Sequence, residues 1–234
     1  NGLDVFTSTV DDGVSPAGPD FKLYTGTMYS GEKATLAWNR HLGYNGANNP
    51  TAVEGLSDLD LHVYSATTGA SLDSSTSRID NVEQVAVATS GTVVLRVDVW
   101  GTLDPEVGVE SFALATEENF VAATAPSFSF IASPGSAFCG TSFTLSTTVR
   151  NDGSVPSFNN NVSVTLPTGM TLVSGSNPQN VGTLASGGTA VASWTVSSAS
   201  CALQVNRTVT FTNSSYSYGE SFRGTANHTV TFVP

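Results

Sequence analysis

Leu56-Ser57-Asp58-Leu59-Asp60-Leu61-His62-Val63-Tyr64 alternates polar and apolar residues from Asp58 onward. Side chains of an extended chain point to opposite faces in turn, so Leu59, Leu61 and Val63 share one face and Asp58, Asp60, His62 and Tyr64 the other. This is a strand with one face on a core. The same period returns downstream at Val82, Val85 and Val87, and again at Val93, Leu95, Val97 and Val99, which leave Arg96, Asp98 and Trp100 opposite. Upstream, Phe21, Leu23 and Tyr24 open one strand and Ala34 to Asn39 form another, while Phe112 and Leu114 close the set. Thr68-Gly69, Ser90-Gly91 and Asp104-Pro105 separate these strands as turn signals, the pattern of an antiparallel sandwich.

Two stretches break the alternation. Residues 1–20 carry Asp11-Asp12-Gly13, Ser15-Pro16 and Gly18-Pro19 and read as a linker or the tail of an upstream region. Arg40 to Ser57 holds Gly43, Gly46, Asn48, Asn49 and Pro50; proline donates no backbone hydrogen bond, so this stretch is expected to be a loop. A third break, with Ala-Ala-Thr-Ala-Pro and Ser-Pro-Gly, sets a linker at 121–135. Strands then restart at Phe143–Val149, Val162–Leu166, Met170–Val173, Ala190–Val196, Val205–Phe211 and Thr229–Phe232. Roughly seven strands in about 100 residues, with Trp194 to fill the centre, describe an immunoglobulin-like sandwich. The expected organisation is all-β: a jelly-roll-like antiparallel β-sandwich over 21–120, then an immunoglobulin-like β-sandwich over 136–234.

Composition restricts the function. Of 234 residues, 39% are hydrophobic and only 12% charged, and 8 Lys+Arg against 19 Asp+Glu give a net charge of -11. Phosphate recognition needs a basic footprint, so nucleic acid is excluded as a partner. No apolar run reaches the roughly 20 residues of a transmembrane helix. Asn1-Gly2-Leu3-Asp4 lacks a basic region followed by an apolar stretch, so a signal peptide is expected to be absent or already removed.

The alternating run quoted above, followed by Arg78-Ile79-Asp80-Asn81-Val82-Glu83-Gln84-Val85, Gly91-Thr92-Val93-Val94-Leu95-Arg96-Val97 and Glu110-Ser111-Phe112-Ala113-Leu114-Ala115, resembles the β-sandwich domain that follows the catalytic domain of many secreted subtilisin-like serine proteases. Val93 stands where that domain usually has an aromatic residue, and the polar loop before Asp58 is long. The resemblance implies an upstream protease catalytic domain as partner in the same precursor. The second half, through Asn161-Val162-Ser163-Val164-Thr165-Leu166-Pro167-Thr168-Gly169-Met170 and Val181-Gly182-Thr183-Leu184, resembles immunoglobulin-like modules of bacterial and archaeal surface proteins.

Catalytic residues are expected to be absent. His41, His62 and His228 are the only histidines, and all three read as surface residues; no nucleophile elbow precedes a small residue. The acids Asp58, Asp60, Asp80, Glu83, Asp98 and Glu110 read as a sandwich rim rather than a glycosidase pair. Calcium is the cofactor these oxygen-bearing side chains suit, with Asp80 and Glu83 as its core beside Asp58 and Asp60, because a turn can wrap carbonyls around an ion. A solvated acidic rim is the alternative. Trp38, Tyr44 and Trp100 are the residues of a sugar-stacking platform, if exposed. Cys139 and Cys201 are expected to form a disulfide, with two reduced core cysteines as the alternative. Sequons at Asn161, Asn206, Asn213 and Asn227 read as chance in a Ser/Thr/Asn-rich segment.

Together these readings describe a non-catalytic accessory region, extracellular or at the cell surface, that stabilises a subtilisin-like protease or presents protein substrate to it. The alternative is a carbohydrate-binding or adhesive surface module with a polysaccharide partner.

Overall fold

A computed structural model describes residues 4–11, 21–45, 49–100, 103 and 108–234, with the backbone alone at 11, 42–45 and 49–55. Every regular element among them is a strand, and the chain divides into two compact units, Asn1–Ala123 and Thr124–Pro234.

The first unit contains β1 (Asp4–Asp11), β2 (Phe21–Met28), β3 (Lys33–Trp38), β4 (His41–Asn45), β5 (Asn49–Gly55), β6 (Leu59–Ser65), β7 (Ser71–Ser75), β8 (Val82–Ala86), β9 (Gly91–Val99), β10 (Val109–Thr116) and β11 (Phe120–Ala123). Its two main sheets run β1-β10-β3-β8 and β11-β2-β9-β6-β7, with every pairing antiparallel. The pairs β6–β7, β3–β8, β2–β9 and β1–β10 nest one outside the next, which is the winding of a jelly roll. The core lies between the sheets: Leu59, Leu61 and Val63 meet Leu36, Val93, Leu95, Val97 and Leu114, each of them fully buried. Each such side chain contributes about 1.5–3 kcal/mol through burial.

Three sequence expectations change here. Asp4–Asp11 is not linker, because β1 pairs along its whole length with β10 from Asp4↔Thr116 to Asp11↔Val109; residues 12–20 lie outside the described set. Turn signals at 11–19 conceal the Val, Phe and Thr residues before them. Arg40 to Ser57 is not a single loop, because β4 and β5 pair as a hairpin. They pair only with each other, so Pro50 sits on a strand that needs no second ladder. Nor is 121–135 a linker throughout: β11 ends at Ala123, and Phe128–Ser133 is already a strand of the second unit.

That unit contains β12 (Phe128–Ser133), β13 (Ser136–Phe138), β14 (Ser142–Asn151), β15 (Ser157–Thr165), β16 (Met170–Ser174), β17 (Gln179–Leu184), β18 (Thr189–Ser198), β19 (Val205–Ser217) and β20 (Glu220–Val233). Its sheets run β12-β14-β18-β16 and β13-β20-β19-β15-β17. The chain enters in one sheet and crosses to pair parallel with the last strand, Ser136↔Thr231 to Phe138↔Val233, while the other pairings are antiparallel. This is the immunoglobulin-like arrangement. Trp194 is buried in its centre and stacks on Phe211 at 6.0 Å, with its indole N–H donating to Ser176 O at 2.8 Å.

Two buried asparagines tie the unit's loops to its sheets. Asn151 Nδ2 donates to Val155 O at 2.8 Å and Leu184 O at 3.2 Å, and its Oδ1 accepts from the Gly153 N–H at 3.0 Å. Glycine is required at 153, because a Cβ there would lie 2.3 Å from Ala125 O. Asn160 stands at a bulge in β15; its Oδ1 accepts from Ser157 Oγ–H and Asn213 Nδ2–H, both at 2.9 Å, and its Nδ2 donates to Ser157 O and Gly182 O, also at 2.9 Å. Asn213 is fully buried, so that sequon presents no accessible amide.

Cys139 and Cys201 are joined by a disulfide, their Cα atoms 5.6 Å apart. The bridge closes a span of 62 residues between the end of β13 and the turn after β18. In the chain-entropy account such a loop stabilises by about 4 kcal/mol. Replacing both cysteines by alanine should therefore lower the unfolding free energy of Thr124–Pro234 by about 2–4 kcal/mol. Denaturant titration monitored by Trp194 fluorescence checks this; an unchanged midpoint would show that the bridge contributes nothing.

Candidate functional site

The antiparallel register of β6 and β9 sets Asp60 directly opposite Asp98 and His62 opposite Arg96. Like charges placed opposite one another repel. Arg96 answers half of that charge: its guanidinium lies 2.7 Å from Asp98 Oδ2 and 4.9 Å from the Phe21 ring centre. The other oxygen, Asp98 Oδ1, is buried without a hydrogen-bond partner and lies 3.4 Å from His62 Nε2. Asp60 is only 5% exposed. Burial first, and then the neighbouring charges of Asp98 and Asp58, push its carboxyl up to about 6. Asp58 is raised too, by burial, with Arg78 acting in the opposite sense. Ligand atoms of Asp60, His62 and Asp98 all lie within 4.8 Å of one another.

The face that alternation marks as polar is thus not an open rim: Asp60 and Tyr64 are buried and His62 is half-buried beside Asp98. Asp80 and Glu83 are each engaged by donors from the chain leaving β7. Asp80 Oδ2 accepts from Ser77 Oγ–H at 2.8 Å, while the fully buried Glu83 accepts from the Ser77 backbone N–H at 2.7 Å and from the Ser75 hydroxyl. Glu83 uses both carboxylate oxygens to hold the chain leaving β7. Asp58 stands just before β6 and Asp60 within it, and it is Asp60 with His62 and Asp98 that converge.

The aromatic platform is not assembled. Trp38 is buried at 5% exposure, its indole N–H donating to Ser57 O at 2.7 Å, whereas Trp100 is 55% exposed beneath the Arg78 guanidinium at 5.2 Å. The Tyr44 side chain lies outside the described residues. Across the outer face of β1, β10 and β3 runs an open groove of about 540 Å³, to which Thr7, Thr9, Asn39 and Ser111 contribute exposed polar side chains.

One Ser, His and acid grouping exists among the described residues, and its geometry is not that of a catalytic triad. Ser57 Oγ–H donates to Glu110 Oε2 at 2.6 Å, and His41 Nε2 approaches the same oxygen at 2.8 Å. The serine donates to the acid rather than to the imidazole, so the histidine is not placed as the base of a triad. Ser57 and Glu110 are also buried away from substrate.

Comparison with known proteins gives one family match. Residues 137–215 match the NPCBM-associated, NEW3 domain of alpha-galactosidase, about a third of the chain and wholly inside the second unit. No curated protein matches. Solved structures similar to the chain include a putative beta-galactosidase from Bacteroides fragilis (11% identity, TM-score 0.24, covering 93% of this chain and 33% of that one). A DUF4785 family protein from Legionella pneumophila has 7% identity and a TM-score of 0.28, covering 99% of this chain and 66% of that one. Beta-glucuronidase 3 from Bacteroides uniformis has 12% identity and a TM-score of 0.26, covering 94% and 28%. None of these is a subtilisin-like protease, and the protease resemblance gains no support from them.

An aspartate titrates near 3.9 in an unfolded chain, so the raised carboxyl of Asp60 makes the folded state bind the extra proton as pH rises from about 4 to 6. Stability is lost across that window. Asp60→Asn should therefore match the parent near pH 4 and exceed it at pH 7.5, in chelator, by about 1–3 kcal/mol. Thermal melts at both pH values check this, and a variant less stable at pH 7.5 would refute it.

Proposed function

We propose that this chain is a non-catalytic accessory region of a secreted or surface protein that acts on or holds carbohydrate. The match of residues 137–215 to a domain described from alpha-galactosidase carries this reading. The open groove on β1, β10 and β3 agrees with it in chemistry, since hydroxyl and amide groups such as Thr9, Asn39 and Ser111 exchange hydrogen bonds with sugar hydroxyls. The acidic net charge of -11 suits a neutral or cationic glycan better than an anionic one. No role is assigned to an upstream protease.

The purified chain should retard in gels containing a neutral polysaccharide, and Ser111→Arg, which fills the groove, should abolish the retardation without lowering the melting temperature. It should hydrolyse neither chromogenic galactosides nor casein. Turnover of either substrate would overturn the non-catalytic reading. Absence of retardation across a panel of galactans, glucans and mannans would overturn carbohydrate contact by this chain.

A further inference from the structure

We propose that Asp60, His62 and Asp98 bind a divalent transition-metal ion of the zinc type. Zinc holds histidine nitrogen at about 2.0–2.1 Å and carboxylate oxygen at about 2.0–2.2 Å, which puts tetrahedral ligand atoms roughly 3.4 Å apart. His62 Nε2 and Asp98 Oδ1 already stand 3.4 Å apart. Asp60 offers the third ligand, and all three ligand atoms fall within 4.8 Å, so a small side-chain rotation completes the set.

Two observations beside that spacing point to a cation. Asp98 Oδ1 is buried with no hydrogen-bond partner, although the other oxygen of the same carboxylate is fixed by Arg96 at 2.7 Å. Asp60, 95% buried, faces Asp98 directly across the ladder, which sets two carboxylates opposite one another. Arg96 orients Asp98 from behind, as the partners of metal-binding carboxylates commonly do. An imidazole ligand selects zinc-type ions over calcium, which takes six to eight oxygens. The ion would bridge β6 and β9 on the face away from the core.

The test uses the intact chain, stripped with chelator at pH 7.5. Calorimetry should show one zinc ion per chain, a melting temperature raised on binding, and no competition from millimolar calcium. His62→Asn and Asp60→Asn should each weaken binding more than about tenfold, while His228→Asn leaves it unchanged. Should either variant fail to fold, cobalt added to the parent chain supplies the answer: paramagnetic broadening centred on the His62 ring supports the site, and broadening at His41 or His228 instead overturns it. Affinity weaker than about 100 µM, or full binding by both folded variants, would also overturn it. Displacement of zinc by calcium would overturn the metal class.

Discussion

The constraint on which the first unit depends is the period of two imposed by an antiparallel ladder with one face in a core. Leu59, Leu61 and Val63 on β6 are all fully buried, as are Val93, Leu95 and Val97 on the β9 strand beside them. A slip of one residue would turn Asp60 and His62 into that core. The hydrophobic pattern therefore admits a single register. The same register fixes Asp60 against Asp98, whatever the electrostatic cost on the opposite face.

That cost is considerable, because the opposite face is not in open water. Arg96 neutralises Asp98 and stacks on Phe21, while His62 is the neighbour that favours the ionised form of Asp60. A protein can retain such an arrangement by protonating the acid, by accepting the loss of stability, or by binding a cation. Glu83 and Glu110 show the other solution. Each is fully buried, and each fills its oxygens with serine, backbone or histidine donors. The contrast between these satisfied carboxylates and Asp98, whose Oδ1 is buried without a hydrogen-bond partner, is what separates a structural acid from a candidate ligand.

The second unit shows polar burial resolved. Asn160 makes four hydrogen bonds at the bulge of β15 and thereby joins β15, β17 and β19. Asn151 does similar work where β14 ends. The disulfide joins the end of β13 to the turn after β18 within this unit.

The sequence by itself determined the all-β class, because alternation at Leu59–Val63, Val93–Val99 and Ala190–Val196 is local and survives any tertiary arrangement. The pairing of two lone cysteines was legible from their even number and the composition between them. It hid β1, whose residues lie beside strong turn signals, and the β4–β5 hairpin, whose glycines and proline are tolerable only because its two strands pair with each other alone. Trp38 and Trp100 are indistinguishable as letters, yet one is buried and the other exposed, since burial depends on which strand lies opposite. Asp60 and Asp98 stand far apart in the chain, and only the nesting of β6 beside β9 makes them neighbours of His62. Alternation assigns a residue to a face; what covers that face, and which charge confronts it there, is a long-range property that tertiary structure decides.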